Sequence, residues 1–141
     1  MSPVNKEEII TLIGECRKAT AQLSSNRNAP RAEVLASEEK LGNIKYQFII
    51  AVEAAIGICQ HLSAKKFNAV PESYATCYRV LEGNGLIDSN LASRMADLAR
   101  FRKVLLHLYG QVDNNPVLDK LEMLPTIEQY LELMAEPSGL L

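Results

Sequence analysis

"FIIAVEAAIGICQHL", residues 48–62, settles the class of fold. Phe48, Val52, Ala55, Cys59 and Leu62 recur at the spacing of one helix face. Ile49, Ile50, Ala51, Ile56 and Ile58 widen that face until most of the circumference around Ile50 is apolar. A helix of this kind needs neighbours on most sides, which makes it the central helix of a bundle. The stripe continues back through Ile44 and Leu41, so the pattern predicts one long helix over about residues 32–64.

Working outward, Ile9, Leu12, Ile13, Cys16, Ala19 and Leu23 predict a first helix over about residues 5–25. "SSNRNAPRA" separates the two, with Asn28 and Pro30 as turn formers. After the loop "KKFNAVPES", Ser73 is a cap for a short third helix carrying Tyr74, Cys77, Tyr78 and Leu81. "EGNG" stops it, with Gly83 and Gly85 able to take positive φ. Asp88 or Ser89 caps a fourth helix with the stripe Leu91, Met95, Leu98, Phe101, Leu105 and Leu108, ending at Gly110. Asn115 followed by Pro116 reads as the cap and first residue of a fifth helix, which Pro125 should kink. No stretch alternates like a strand, and no linker divides residues 1–141. The expected fold is therefore all-α, a single up-and-down bundle of four to five helices.

The 141 residues suffice for one sizeable core, and 48% hydrophobic with 23% charged residues is globular composition. A net charge of −2 gives no global attraction to nucleic acid. Charge is uneven, however. Residues 88–113 hold Arg94, Arg100, Arg102 and Lys103 against Asp88, Asp97 and Asp113, while residues 114–141 hold Asp119, Glu122, Glu128, Glu132 and Glu136 against Lys120 alone. Cys16, Cys59 and Cys77 lie in apolar-periodic runs with no CxxC spacing, the pattern of buried free thiols in a reducing compartment. "MSPVNKEEII" has no apolar signal core, and no uninterrupted apolar run reaches the ~18 residues of a membrane span. The expected location is cytoplasmic.

The chemistry concentrates in "RFRKVLLHLYGQVD", residues 100–113. Arg102 and His107 differ by five positions, about 140° on a helix of ~100° per residue. One copy of an undistorted helix would keep them apart, and two copies about a two-fold axis would bring them together. His moves protons near neutrality, and Arg offers a fork of donors that fits phosphate. Together they suit RNA cleavage by the neighbouring 2′-OH, without a metal or another cofactor. No metal-ligand set is evident, with only His61 and His107 in the chain. Taken singly, Arg102 also fits a solvated stem, His107 a helix-end surface residue, and Tyr109 a boundary aromatic. His61 fits a structural role near helix-end carbonyls. Glu122, Glu128, Glu132 and Glu136 fit a solvated face or contact with a basic partner. Tyr74 and Tyr78, one turn apart, fit core packing better than stacking on an RNA base.

R-x4-H-x-Y, here "RKVLLHLY" from Arg102 to Tyr109, resembles the signature of HEPN-domain ribonuclease toxins of the HepT type. "FIIAVEAAIGICQHL", "VPESYATCYRVLEGNGLID" and "DLARFRKVLLHLYGQVD" resemble three of the family's segments, in order, across about residues 38–135. The sequence departs in Lys103, where many relatives carry Asn, and in Leu108, where many carry a polar or small residue. Lys103 keeps a donor for phosphate. The resemblance implies a cytosolic homodimer that cleaves RNA, with Arg102 and His107 catalytic. It implies a minimal nucleotidyltransferase antitoxin as partner, which transfers AMP to Tyr109. The alternative it leaves open is a catalytically silent HEPN module that binds nucleotide or substrate for that nucleotidyltransferase.

Overall fold

The computed structural model describes residues 4–108 and 110–138. All its regular elements are helical among those residues: α1 (Lys6–Arg27), α2 (Arg31–Leu35), α3 (Glu38–Lys65), α4 (Tyr74–Gly83), α5 (Ser89–Leu108), α6 (Asn114–Asp119), a 3₁₀ turn (Lys120–Met123) and α7 (Leu124–Ala135). Helices α1, α3, α4, α5 and α7 form the bundle, and α2 and α6 are short connectors.

Caps explain most of the boundaries. The Asn5 side chain accepts from Glu8 N at 3.2 Å and starts α1. Ser73 Oγ accepts from Thr76 N at 3.1 Å and starts α4. Of the two candidates for α5, Asp88 is the cap, accepting from Leu91 N at 2.8 Å. At the end of α4, Gly85 takes φ +77°, and Leu86 N donates back to Leu81 O at 3.0 Å. That left-handed turn needs glycine at this position; Gly83 is still helical.

Two expected elements are divided. The long helix from residue 32 breaks at Ser37, whose extended backbone places Oγ 3.1 Å from Lys40 N. Ser37 with Glu38 and Glu39 behind it makes a helix start, and that local signal overrides the apolar periodicity running across it. The fifth helix also divides. Asp113, not Asn115, caps α6, accepting from Asn115 N at 3.0 Å. Pro116 then falls in the first turn of α6, where an N–H has no helical partner to lose. Pro125 does not kink a continuous helix. It sits in the first turn of α7, directly after the 3₁₀ turn.

Helix α3 lies at the centre, touching α1, α2, α4, α5 and α7. By length and composition it could cross a membrane, with mean hydropathy 1.3 over its most apolar 18-residue window, but 61% of that window is buried inside the bundle. Its buried residues include Ile44, Phe48, Val52, Ala55, Ile58 and Leu62. Each fully buried large side chain contributes about 1.5–3 kcal/mol. At Gly57 a Cβ would meet Leu12 Cδ atoms at 3.3 Å, so the missing side chain admits α1 closely. Phe48 meets Phe101 of α5 edge-on at 5.3 Å, and Tyr78 of α4 meets Tyr130 of α7 edge-on at 5.7 Å. Tyr130 OH donates to Ala55 O at 2.9 Å, satisfying a buried hydroxyl.

The three cysteines are free and buried. Burial pushes the Cys16 thiol to about 12, with Glu128 adding to the rise. Its Sγ donates to Ala51 O at 3.3 Å. Cys59 is likewise raised by burial, chiefly, and by its contact with Cys77. His61 is a buried tie between the end of α3 and the start of α1. Its Nε2 accepts from Asn5 N at 2.9 Å, and Nδ1 lies 3.4 Å from Glu8 Oε2. The expected helix-end carbonyls are not the partners described for it. Part of the acidic C-terminal face is paired within the chain, through Arg17–Glu128 at 2.7 Å and Arg27–Glu122 at 3.1 Å.

Candidate functional site

The start of α4 and the last three turns of α5 enclose an open cavity of about 640 Å³. Glu72, Ser73, Tyr74 and Ala75 form one wall. Ala96, Ala99, Arg100, Arg102, Lys103, Leu106 and His107 form the other. The second set follows helical spacing. Ala96, Ala99, Lys103 and His107 recur at three- and four-residue intervals and share a face. Arg102 occupies one flank of that face, and His107 with Arg100 lies toward the other. Small residues at 96 and 99 leave the space open beneath the longer ones.

Arg102 and His107 both line this open cavity, so the ~140° between them on the helix does not keep either out of it. No distortion of the last turn is needed, since α5 remains helical through Leu108. What the angular estimate omits is side-chain length and direction. The Arg102 stem brings its guanidinium to Glu53 of α3, and that carboxylate fixes its position. Nε and Nη2 both donate to Glu53 Oε1, at 3.3 and 3.1 Å. The Arg102 side chain is only 16% exposed, so its freedom is restricted by packing as well as by charge. Its Cζ also lies 5.5 Å from the centroid of the Tyr74 ring, a cation–π contact.

The remaining charges are arranged around this anchored group. Arg100 is exposed and pairs with Asp97 at 2.6 Å. Lys103 and His107 are exposed at the cavity. His107 lies in the last turn of α5. Tyr109 lies outside the described residues. Among those residues, no three His, Cys, Asp or Glu side chains stand together as a metal-ligand set. The arrangement offers fixed and mobile positive charge, one group able to exchange a proton near neutrality, and room for a ligand.

Two residues of this site were not legible as site residues. Glu53 is the lone charge in the apolar run Ile49–Cys59, and that interruption was the available signal. Tyr74, expected in the core with Tyr78, parts from it. Tyr78 is fully buried, while Tyr74 is 38% exposed at the cavity.

An all-α bundle with an Arg–His cavity on its penultimate long helix defines a class, and the family follows. Residues 8–134 match the family model described as "Ribonuclease HepT-like", and the chain belongs to that family. No curated protein matches it significantly in sequence. Its fold is that of HEPN toxins. It superposes on a tri-AMPylated Shewanella oneidensis HEPN toxin in complex with MNT antitoxin, with TM-score 0.83, 17% identity and coverage of 92% of this chain and 97% of that one. A toxin–antitoxin bound to AMP-PNP gives TM-score 0.81 at 16% identity, covering 90% and 97%. A tyrosine-to-alanine mutant of the MntA–HpeT toxin–antitoxin gives 0.83 at 16%, covering 92% and 98%.

The Arg102–Glu53 pair generates a prediction. Arg102 is 16% exposed but Glu53 is 44% exposed, and with water screening the carboxylate the pair contributes on the order of 1 kcal/mol to stability. Glu53→Gln should leave thermal unfolding nearly unchanged while releasing Arg102 from its fixed position. Differential scanning calorimetry checks the first half. Turnover on RNA checks the second, and it should fall, because preorganisation of the guanidinium is lost.

Proposed function

We propose that this protein is a metal-independent endoribonuclease toxin, with Arg102 and His107 as its catalytic residues. The observation that carries the reading is the single cavity holding an anchored guanidinium and an exposed imidazole. Membership of the HepT-like ribonuclease family supports it. In the reaction, O2′ attacks the adjacent phosphorus and the P–O5′ bond breaks. The products are a 2′,3′-cyclic phosphate and a 5′-hydroxyl. A proton must leave O2′ and another must reach O5′, and His107 serves one of these transfers. Arg102 stabilises the charge that grows on the non-bridging oxygens, through donors beyond the Nε and Nη2 contacts made to Glu53. Lys103 and Arg100 add positive charge along the approach to the cavity. The three thiols are buried and none lines the cavity, so they offer no competing nucleophile there.

The proposed partners are the RNA substrate, a second copy of the chain, and a minimal nucleotidyltransferase antitoxin in a shared cytoplasm. Dimerisation would set the Arg102 and His107 of two copies across a two-fold axis. Its support is the apolar surface at the end of α5, where Val104, Leu106 and Leu108 are each more than 40% exposed. The antitoxin reading rests on the structural likeness to toxins held in antitoxin complexes, one of them tri-AMPylated. Tyr109, two positions beyond His107, is the proposed AMP acceptor here. An added phosphodiester would compete with the substrate phosphate for Arg102, and the nucleoside would fill the approach.

His107→Ala and Arg102→Ala should each abolish cleavage while leaving the fold intact. The Arg102 loss should amount to roughly 3–4 kcal/mol of transition-state stabilisation. Activity on RNA in the presence of EDTA should match that without it; chelator-sensitive cleavage, or full activity of His107→Ala, contradicts the assignment. A chain that binds RNA but never cuts it is the silent module instead. Sedimentation at micromolar concentration should show a dimer. For control, mass spectrometry after incubation with the nucleotidyltransferase and ATP should show added AMP on the wild type and none on Tyr109→Phe. Equal modification of both places the acceptor elsewhere.

A further inference from the structure

Beside the His107 imidazole, Tyr74 supplies the cavity's other aromatic ring among the described residues, and the ribonuclease chemistry leaves it without a task. Its setting is rigid. It is the first residue of α4, directly after the Ser73 cap, and α4 is anchored by buried Cys77, Tyr78 and Leu81. Its ring carries the Arg102 guanidinium at 5.5 Å, and Arg102 is held in turn by Glu53 at 3.1 Å. The ring is therefore oriented through its contact with the catalytic cation, yet 38% of the residue remains exposed at the cavity. Apolar Ala75, Ala99 and Leu106 line the same space, which suits a flat, weakly polar group. Charge suited to phosphate lies at Arg102. A ligand with a phosphate beside a flat ring matches both halves.

We infer that Tyr74 is a base-stacking residue: its ring receives the nucleobase next to the scissile phosphate while Arg102 receives that phosphate. This rests on the ribonuclease reading and extends it to substrate class. A base can present its face to Tyr74 only when it is unstacked from its neighbours, so the preferred substrate is single-stranded RNA. Stacking on a tyrosine tolerates any base, so the preference concerns strandedness and not sequence. Arg102 against the ring supports the stack by cation–π attraction and fixes the spacing between base and phosphate.

The test is a binding cycle on an octanucleotide of 2′-O-methyl RNA, which lacks the attacking hydroxyl and stays intact. Wild type, Tyr74→Phe, Tyr74→Leu and Tyr74→Ala are titrated with the full strand and with strands made abasic at each position in turn. The expected result is wild-type affinity for Tyr74→Phe and binding weakened on the order of 5- to 100-fold for Tyr74→Ala. Tyr74→Leu, which keeps bulk without a π-face, should also bind weakly. One abasic position should weaken wild type by a similar factor and have no further effect in Tyr74→Ala, the signature of a direct contact. A duplex of the same sequence should bind wild type less tightly than the single strand. Equal binding by wild type and Tyr74→Ala, no binding by wild type, loss in Tyr74→Phe, or equal abasic penalties in both proteins would each overturn the inference. Cleavage of unmodified RNA by the wild type is measured in parallel. Binding with the expected coupling but no cleavage overturns the ribonuclease reading alone; cleavage without coupling overturns the stacking role alone.

Discussion

Helix α3 is enclosed by α1, α2, α4, α5 and α7, and the placement of its one charged residue between Tyr46 and Gln60 follows from that enclosure. A carboxylate within the core would need full compensation to remain ionised. Glu53 instead reaches the surface, where it meets Arg102 of α5. The pair does little for stability at that exposure, and its consequence is positional. It holds a long, otherwise mobile cation to one place on a helix whose neighbouring face lines a cavity. The rest of the site is arranged about that held group: Tyr74 lies against it, and His107 lines the same space.

The cavity itself follows from how α4 begins. Ser73 caps the helix at the point where the chain arrives from the loop after α3. The buried side chains of Cys77, Tyr78 and Leu81 set the helix against the bundle, and its first turn is left facing the end of α5. Alanines at 96 and 99 keep α5 slim on that side. Core packing and site geometry are thus one arrangement. The residues that fill the interior decide where the two walls stand, and few polar contacts within the site are needed to hold them.

The central helix and the all-α class were readable from sequence because each rests on strong periodicity, while a local motif singled out Arg102 and His107. Ser37 was missed because apolar residues recur across it, while the helix start depends on a single side-chain hydrogen bond to Lys40 N. Pro125 was misplaced for a related reason: a proline inside a helix and one in a first turn look alike until the preceding turn is known. The cavity that Arg102 and His107 both line was not legible, because an ideal-helix angle ignores how far an arginine side chain travels. Glu53 was hidden because its role depends on a residue 49 positions away. Tyr74 and Tyr78 share a helix and a residue type, and only the packing of α4 separates their environments.

The central claim is that this cavity promotes attack by a 2′-hydroxyl on its neighbouring phosphate. A DNA strand carrying a single ribonucleotide isolates that step, because it supplies one attacking hydroxyl. The purified protein should cut the strand only on the 3′ side of the ribonucleotide and leave a 2′,3′-cyclic phosphate, identified by its mass. The all-DNA strand should remain intact. Cleavage of the all-DNA strand, or a product ending in an unmodified 3′-hydroxyl, would show that water and not the neighbouring hydroxyl is the nucleophile, and would contradict the account.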